Sequence, residues 1–431
     1  MGAYKGEMTI EIRPITQGEA VEYMRLTPWV SGFPQEEPEP VAWYTGRAAY
    51  PPLVQPTAEQ LEQYCAGLLT DWYRPQAAFV DGKLAGGSAI VSVELTLPGG
   101  QQVPMGGVSW TAVLPTYRRR GLLRQMMGAL LDDCRERGEF LAGLSASEGA
   151  IYGRYGFGPA TFQHRWEVRR TDAAFRTPFT DPGRLELVDG ATAAAVWPTL
   201  HEQIRAIRVG EISPSAGRWA GLAAGGLPAD GSGPAHHLIH RDATGAPDGA
   251  AIFRLPWAPD PADAGVLALA SLEALNPDAY RALWGLLLDF DLTKRVVAAR
   301  RPVDEPLRWM LTNPRALKLA RTRDNLWLNI LDVQRALEAR TYAATDALVL
   351  EVDGVSWRLD AAPEGAACTA APGVPADVSL TVQELGSLYL GGVRASEFRD
   401  AGRIREHTSG AVSRLDALLR PDRAPHNAMA F

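Results

Sequence analysis

Thr116-Tyr-Arg-Arg-Arg-Gly-Leu-Leu-Arg-Gln-Met-Met127 is the stretch on which the reading of this chain turns. Three arginines run into a glycine, and an apolar helical period begins directly after it. Leu122, Leu123, Met126, Met127, Leu130, Leu131 and Cys134 recur at helical spacing until Gly138 stops the run. Upstream, Gly107 to Leu114 reads as a strand ended by Pro115. A strand, a basic glycine turn and a helix start together form an anion seat. The first helical N–H groups lack partners, the helix dipole is positive there, and side-chain cations stand alongside. Arg118 to Arg124 therefore reads as a seat for a pyrophosphate.

Outward from this point, residues 8–165 read as an α/β unit. Thr9–Arg13 is a short strand, and Thr16 with Glu19 forms a capping box ahead of a helical pattern. Residues 28–56 carry Trp29, Phe33, Glu36, Glu37, Trp43 and Tyr44 and suit a binding loop or a surface loop with packed aromatics. Residues 57–69 are helical in pattern. Asp81-Gly82 and Pro98-Gly-Gly100 mark hairpin turns between strands. Phe140–Ser145 is a buried strand leading into a tyrosine- and glycine-rich segment, and Phe162–Arg169 is expected to return as a strand.

From 170 to 308 the layout recurs weakly, with strands expected at 266–275 and 294–299 around a helix at 277–290. The turn between the first strand and that helix, Ser271 to Pro277, holds Glu273, no arginine and no glycine, so a phosphate would find little there. After about 309, strands at 326–331, 347–352, 355–359 and 378–382 and helices at 333–340, 383–390 and 410–419 indicate a small α+β unit. The last residues, from Arg420 to Phe431, have no element of their own yet end on an aromatic side chain. The expected class is thus α/β (α+β), with units at 1–165, 166–308 and 309–431.

The 431 residues exceed one ordinary core. The formal charge of −7 weighs against a nucleic-acid partner. No run approaches the roughly 18 apolar residues of a membrane span. Residues 1 to 7 read as a leader without the apolar core of a signal peptide. Cys65, Cys134 and Cys368 are odd in number and far apart, which points to reduced thiols and a cytoplasmic setting. His236, His237 and His240 lack a carboxylate partner at helical spacing and read as solvated strand positions, with no metal expected.

Residues 107 to 165 resemble the GNAT N-acetyltransferases, and in detail their enhanced-intracellular-survival (Eis) family. Arg118 to Arg124, Ser147-Glu-Gly149 and Ile151-Tyr-Gly-Arg-Tyr-Gly-Phe-Gly-Pro-Ala160 carry the likeness, with Leu385 to Gly391 and the terminal Phe431. Leu123 departs from the general GNAT loop, which has glycine or alanine there. The resemblance implies two GNAT-like mixed-sheet domains, the second without a cofactor site, then a sterol-carrier-protein-like α+β domain. It implies acetyl-CoA along Thr111, Ala112 and Val113. The pyrophosphate would rest on the N–H groups of Arg119, Arg120, Gly121, Leu122, Leu123 and Arg124, and Ser147 and Glu148 would flank the cofactor arm.

Acetyl transfer from a thioester to an amine needs a base, because an alkylamine such as lysine has a pKa of about 10.4. It also needs a donor for the developing oxyanion, for which the Val113 N–H is suited, and an acid for the thiolate. By the resemblance, Tyr152 is the acid and the α-carboxylate of Phe431 the base. The family's aminoglycoside-acetylating member has an acidic residue before its terminal phenylalanine, where this chain has Ala430. Glu36, Glu37 and Asp71 are candidates for holding a cationic acceptor. The expected acceptor is the primary amine of a small polycationic molecule, aminoglycoside-like or polyamine-like. A lysine peptide, or a lipid-carrier role for the third unit, are the alternatives. The resemblance further implies a homo-hexamer, a dimer of trimers.

Overall fold

The computed structural model describes residues 9–26, 69–214, 219, 234–256 and 265–429. The expectations for 1–7, 28–56, the helix at 57–69 (all but Leu69) and Phe431 fall outside these residues.

The first sheet contains β1 (Ile10–Pro14), β2 (Tyr73–Val80), β3 (Lys83–Thr96), β4 (Gln102–Val113), β5 (Leu141–Leu144) and β6 (Gly158–Pro159). The Thr16–Glu19 capping box forms as read. Helix Leu122–Glu136 lies on one face and buries Leu122, Met126, Met127, Leu130, Leu131 and Cys134, six of the seven positions its period selected, with Leu123 partly buried at the edge. Arg74 of β2 fixes the far end of that helix. Its two Nη atoms donate to Glu139 at 2.9 and 2.7 Å, and its Nε lies 2.8 Å from Asp133.

The second sheet takes β7 (Phe162–Arg169), β8 (Arg184–Val188), β9 (Ala235–Arg241), β10 (Pro247–Arg254), β11 (Val266–Ala274), β12 (Arg295–Arg301) and β13 (Lys318–Asp324), in the order β13-β7-β12-β11-β10-β9-β8. The chain then returns to the first sheet. There β14 (Trp327–Ile330) inserts between β5 and β6, with Leu328 opposite Gly143 on one side and Gly158 on the other. Two expectations are corrected here. The 162–169 strand pairs in the second sheet, and the 327–330 strand, expected in the third unit, completes the first. Local pattern marks a strand, whereas its partner is chosen by burial at long range.

A third sheet of β15 (Asp346–Val352), β16 (Val355–Ala362), β17 (Gly365–Ala370), β18 (Val378–Leu380) and β19 (Arg405–Glu406) packs with helices Val382–Leu388, Ala395–Asp400 and Ala411–Leu419. The chain adopts the class read from its sequence, two mixed-sheet units followed by an α+β unit. The histidine expectation needs revision. His237 and His240 of β9 are buried, and His240 sits between Asp248 at 2.5 Å and Asp181 at 2.9 Å. No helix among the described residues is long and apolar enough to cross a membrane.

One apolar cluster joins the first sheet to the third unit, running from Met105 and Leu328 to Leu350, Leu385 and Leu415. Helix Val382–Leu388 lies so close to β14 and β6 that a Cβ on Gly386 would overlap the Leu328 carbonyl, and one on Gly158 the Gln383 carbonyl. Gly158→Ala should therefore destabilise the chain by roughly 1–3 kcal/mol through overpacking. Gly128→Ala, where a Cβ on the exposed helix face meets nothing, should leave it unchanged or stabilise it by up to about 1 kcal/mol. Thermal and urea melts of the two variants compare them directly.

Candidate active site

β4 and β5 run parallel but pair only at Gly106–Ala142 and Gly107–Gly143. Beyond Gly107, β4 continues to Val113, while β5 ends at Leu144. The two strands open into a cleft with backbone on its β4 wall. A bulge re-aims that wall, because Gly87 faces Ala112 and Ala89 faces Ser109, leaving Trp110 and Thr111 opposite Ser88 alone. Trp110 takes φ of 55°, and the Ser88 and Thr111 hydroxyls meet at 2.7 Å. Leu114 N–H donates to the Ala85 carbonyl at 2.9 Å. The alternation of an antiparallel ladder then turns the N–H and C=O of Val113 away from β3, toward the open side. Arg118 Nε donates to that carbonyl at 3.4 Å.

Past Pro115 the chain makes a basic turn. Arg119 has φ of 62° and Gly121 φ of 79°, a left-handed position that glycine adopts without strain. Nothing would meet a Cβ on Gly121, so backbone angle and not crowding sets the residue type. Gly121 caps helix Leu122–Glu136 without a side-chain hydrogen bond, and no acid lies in the first turn. The first helical bond runs from Gln125 N–H to the Gly121 carbonyl. The N–H groups of Leu122, Leu123 and Arg124 precede it and point from a positive helix end. Arg120 Nη2 donates to the Thr116 carbonyl at 3.2 Å, and its guanidinium lies over the Tyr117 ring. Arg118, Arg119 and Arg124 are exposed beside this turn.

Tyr152 closes helix Gly149–Tyr152 and is 8% exposed. It shares an apolar cluster with Val108 of β4, Leu144 of β5 and Trp327 of β14, at the root of the cleft. Burial pushes its phenol above the usual value. A hydrogen bond with Ser147 pulls the other way, and the Glu148 charge adds to the rise. The hydroxyl thus keeps its proton at neutral pH. Ser147 and Glu148 are themselves exposed. The residues read from sequence therefore form a cleft wall (Thr111, Ala112, Val113), a basic turn (Arg119 to Arg124) and a buried phenol with its two neighbours. Asp71 lies exposed before β2.

The final segment, coil as expected, is held by hydrogen bonds. His426 N–H donates to the Val209 carbonyl at 2.9 Å, and Asn325 Nδ2 to the Asn427 carbonyl at 2.7 Å. Glu211, 1% exposed, accepts from the N–H groups of Ala428 (2.9 Å) and Met429 (3.2 Å). Burial, with Glu273 nearby, holds the Glu211 carboxyl up at about 7. Met429 is buried in the cluster that covers the first sheet. Sequence reading missed Glu211, since Gly210-Glu-Ile-Ser213 has neither periodicity nor motif.

The second unit offers the contrasting arrangement. β11 and β12 also run parallel, from Val266–Arg295 to Leu269–Ala298, and a helix, Pro277–Leu288, follows β11. That helix is capped by its own residues. Asn276 Oδ1 accepts from Ala279 N–H at 2.8 Å, Pro277 has no N–H, and Asp278 places a negative charge in the first turn. An anion has no seat at such a terminus.

Residues 11–160 match the family described as acetyltransferase (GNAT) domain, residues 211–340 match a second family of that description, and residues 333–428 match the sterol carrier protein domain. An uncharacterized N-acetyltransferase of Streptomyces griseus is 35% identical over 97% of this chain and 99% of its own. N-acetyltransferase Eis of Mycobacterium tuberculosis is 34% identical over 81% of this chain and 86% of its own. The solved structure of Eis1 from Mycobacterium abscessus superposes with a TM-score of 0.80 at 30% identity, covering 98% of this chain and all of that one. GNAT domains imply acetyl-CoA as the donor. With the cleft, the basic turn and the buried phenol in one domain, the chain belongs to the Eis family of GNAT N-acetyltransferases and is an acetyl-transferring enzyme.

Proposed function

We propose that the enzyme transfers acetyl from acetyl-CoA directly to a primary amine of a small polycationic acceptor, aminoglycoside-like or polyamine-like, in the β4–β5 cleft of the first domain. The observation that carries this reading is the buried, protonated Tyr152 at the root of a cleft whose β4 wall turns Val113 N–H and C=O outward. Cofactor amides pair along Thr111, Ala112 and Val113. The pyrophosphate rests on the turn from Arg119 to Arg124, and Ser147 and Glu148 flank the arm. The self-capped helix of the second domain supports confining the cofactor to the first.

The amine attacks the thioester carbonyl, forming a C–N bond. Val113 N–H stabilises the resulting oxyanion. As the C–S bond breaks, the leaving thiolate takes the Tyr152 proton, and the ammonium proton passes to the α-carboxylate of Phe431. Support for the last role comes from Glu211, which pins Ala428 and Met429 just upstream of that residue. A homo-hexamer, a dimer of trimers, and a cytoplasmic setting complete the proposal.

Arg119→Glu should weaken acetyl-CoA by about tenfold, the loss of one charge-assisted contact. Unchanged binding in titration calorimetry would remove the pyrophosphate seat. Tyr152→Phe should lower kcat by roughly 10²–10⁴-fold while leaving acetyl-CoA affinity in place. A variant with full turnover would exclude the phenol as acid. Residues appended after Phe431 should abolish turnover and spare cofactor binding; a normal rate in an acetyl-CoA consumption assay would take the carboxylate out of the mechanism. The same assay over polyamines, aminoglycosides and lysine peptides identifies the acceptor, and turnover of lysine peptides alone would replace the small polycation.

A further inference from the structure

A second cavity, of about 710 Å³, lies where the three domains meet, remote in sequence from the Tyr152 cleft. Its walls are the β3–β4 turn of the first domain, the ends of β11 and β12 in the second, and the tail from Arg420 to Ala428. The β11–β12 pairing ends at Leu269–Ala298, and the lining begins at Ala270 and Arg300, so this cavity is the splayed cleft of the second domain. Its helix terminus is self-capped, but its lining is rich in arginine.

The cations here are incompletely matched. Arg208 Nη1 is buried without a hydrogen-bond partner, and among the described residues no ion pair includes Arg208. Arg301, 5% exposed, spends Nε on Glu305 at 2.8 Å and Nη1 on the Leu272 carbonyl at 2.7 Å. Arg423 is 3.3 Å from Asp304. His426, 6% exposed, is a neutral member of the group, its imidazole held below the usual range by burial and the nearby arginines, and its Nδ1 has no hydrogen-bond partner. Acids stand on the same wall, Glu273 with both carboxylate oxygens buried and without a hydrogen-bond partner, and Glu273 and Asp304 act on Arg301 without bonding to it. Glu211 turns to the tail amides, and Glu273 lies 3.5 Å from His201. Burial and the repulsion of Arg423 and Arg301 push the Arg208 guanidinium below its usual range, against the opposing pull of Asp304 and Glu211. Leaving such a group buried and unmatched is unfavourable, and a bound oxyanion would relieve it.

We propose that this cavity binds a small polyanion, rich in phosphate or carboxylate groups, between Arg208 and Arg301 of the second domain and Arg423 and His426 of the tail. The ligand bridges the tail to the second domain, and so helps fix the segment that runs on to the chain end. Arginine suits both oxyanion types through its planar fork of donors.

The test uses the full chain carrying Arg119→Glu and Arg124→Glu, which removes the competing anion seat at the basic turn. Titration calorimetry at low salt is run with inorganic pyrophosphate and, separately, with citrate. One site per chain is expected, weakened about tenfold or more by Arg208→Met. Binding of pyrophosphate only, of citrate only, or of both upholds the site and names its preferred chemistry. In anion-free buffer Arg208→Met should melt at the same temperature as its parent or higher, because the buried Nη1 has no hydrogen bond to lose and the desolvation of the guanidinium is relieved. No binding of either anion at millimolar concentration, binding indifferent to Arg208→Met, or a variant that melts markedly lower or fails to fold would each overturn the proposal.

Discussion

Two parallel strands, β4 and β5, stop pairing after Gly106–Ala142 and Gly107–Gly143, and the active site follows from that early stop. In a sheet interior the backbone of β4 would be satisfied by its neighbour on both sides. Here the outward C=O of Val113 is met by Arg118 Nε, and its N–H is left for something else. The bulge at Trp110 and Thr111 twists the wall further and is fixed by the Ser88–Thr111 hydroxyl pair. The same divergence gives Tyr152 its place, because the chain leaving β5 must turn back at once, and it buries the phenol against Val108 and Leu144. A cleft with polar backbone on one wall and a protonated acid at its root results from ending one ladder early.

The second domain repeats the splay but treats its helix differently, and the difference has an energetic meaning. A side-chain N-cap such as Asn276 stabilises a helix by about 1 kcal/mol relative to alanine there, and by a few tenths of a kcal/mol relative to glycine. The first-domain helix forgoes that contribution at Gly121, in the one place where an incoming phosphate can supply the missing acceptor. Local stability given up at a terminus is a mark of a binding site when the neighbouring side chains have matching charge. Arg118, Arg119, Arg120 and Arg124 have it.

Much of this was legible in the residues. The period from Leu122 to Cys134 chose the buried face of its helix, and Thr16 with Glu19 formed the expected cap. The basic turn and the tyrosine segment were visible because short motifs bind through local backbone geometry. Strand partnership was not visible. Phe162–Arg169 and Trp327–Ile330 have ordinary strand patterns, and nothing in either says that the chain crosses between sheets twice. The buried state of His237 and His240 was hidden for the same reason, since Asp248 and Asp181 reach His240 only through the fold. Glu211 shows the limit most clearly: a lone glutamate in an irregular segment becomes an anchor because the tail, more than two hundred residues later, lies across it.

The central claim is that acetyl-CoA occupies the splay of the first domain and no equivalent position in the second. Amide hydrogen exchange measured by mass spectrometry, with and without saturating acetyl-CoA, tests it most directly. The account predicts slowed exchange confined to peptides covering Thr111 to Val113 and Gly121 to Arg124, with Ser271 to Ala279 unchanged. Protection at Ser271 to Ala279, or none at Gly121 to Arg124, would contradict it.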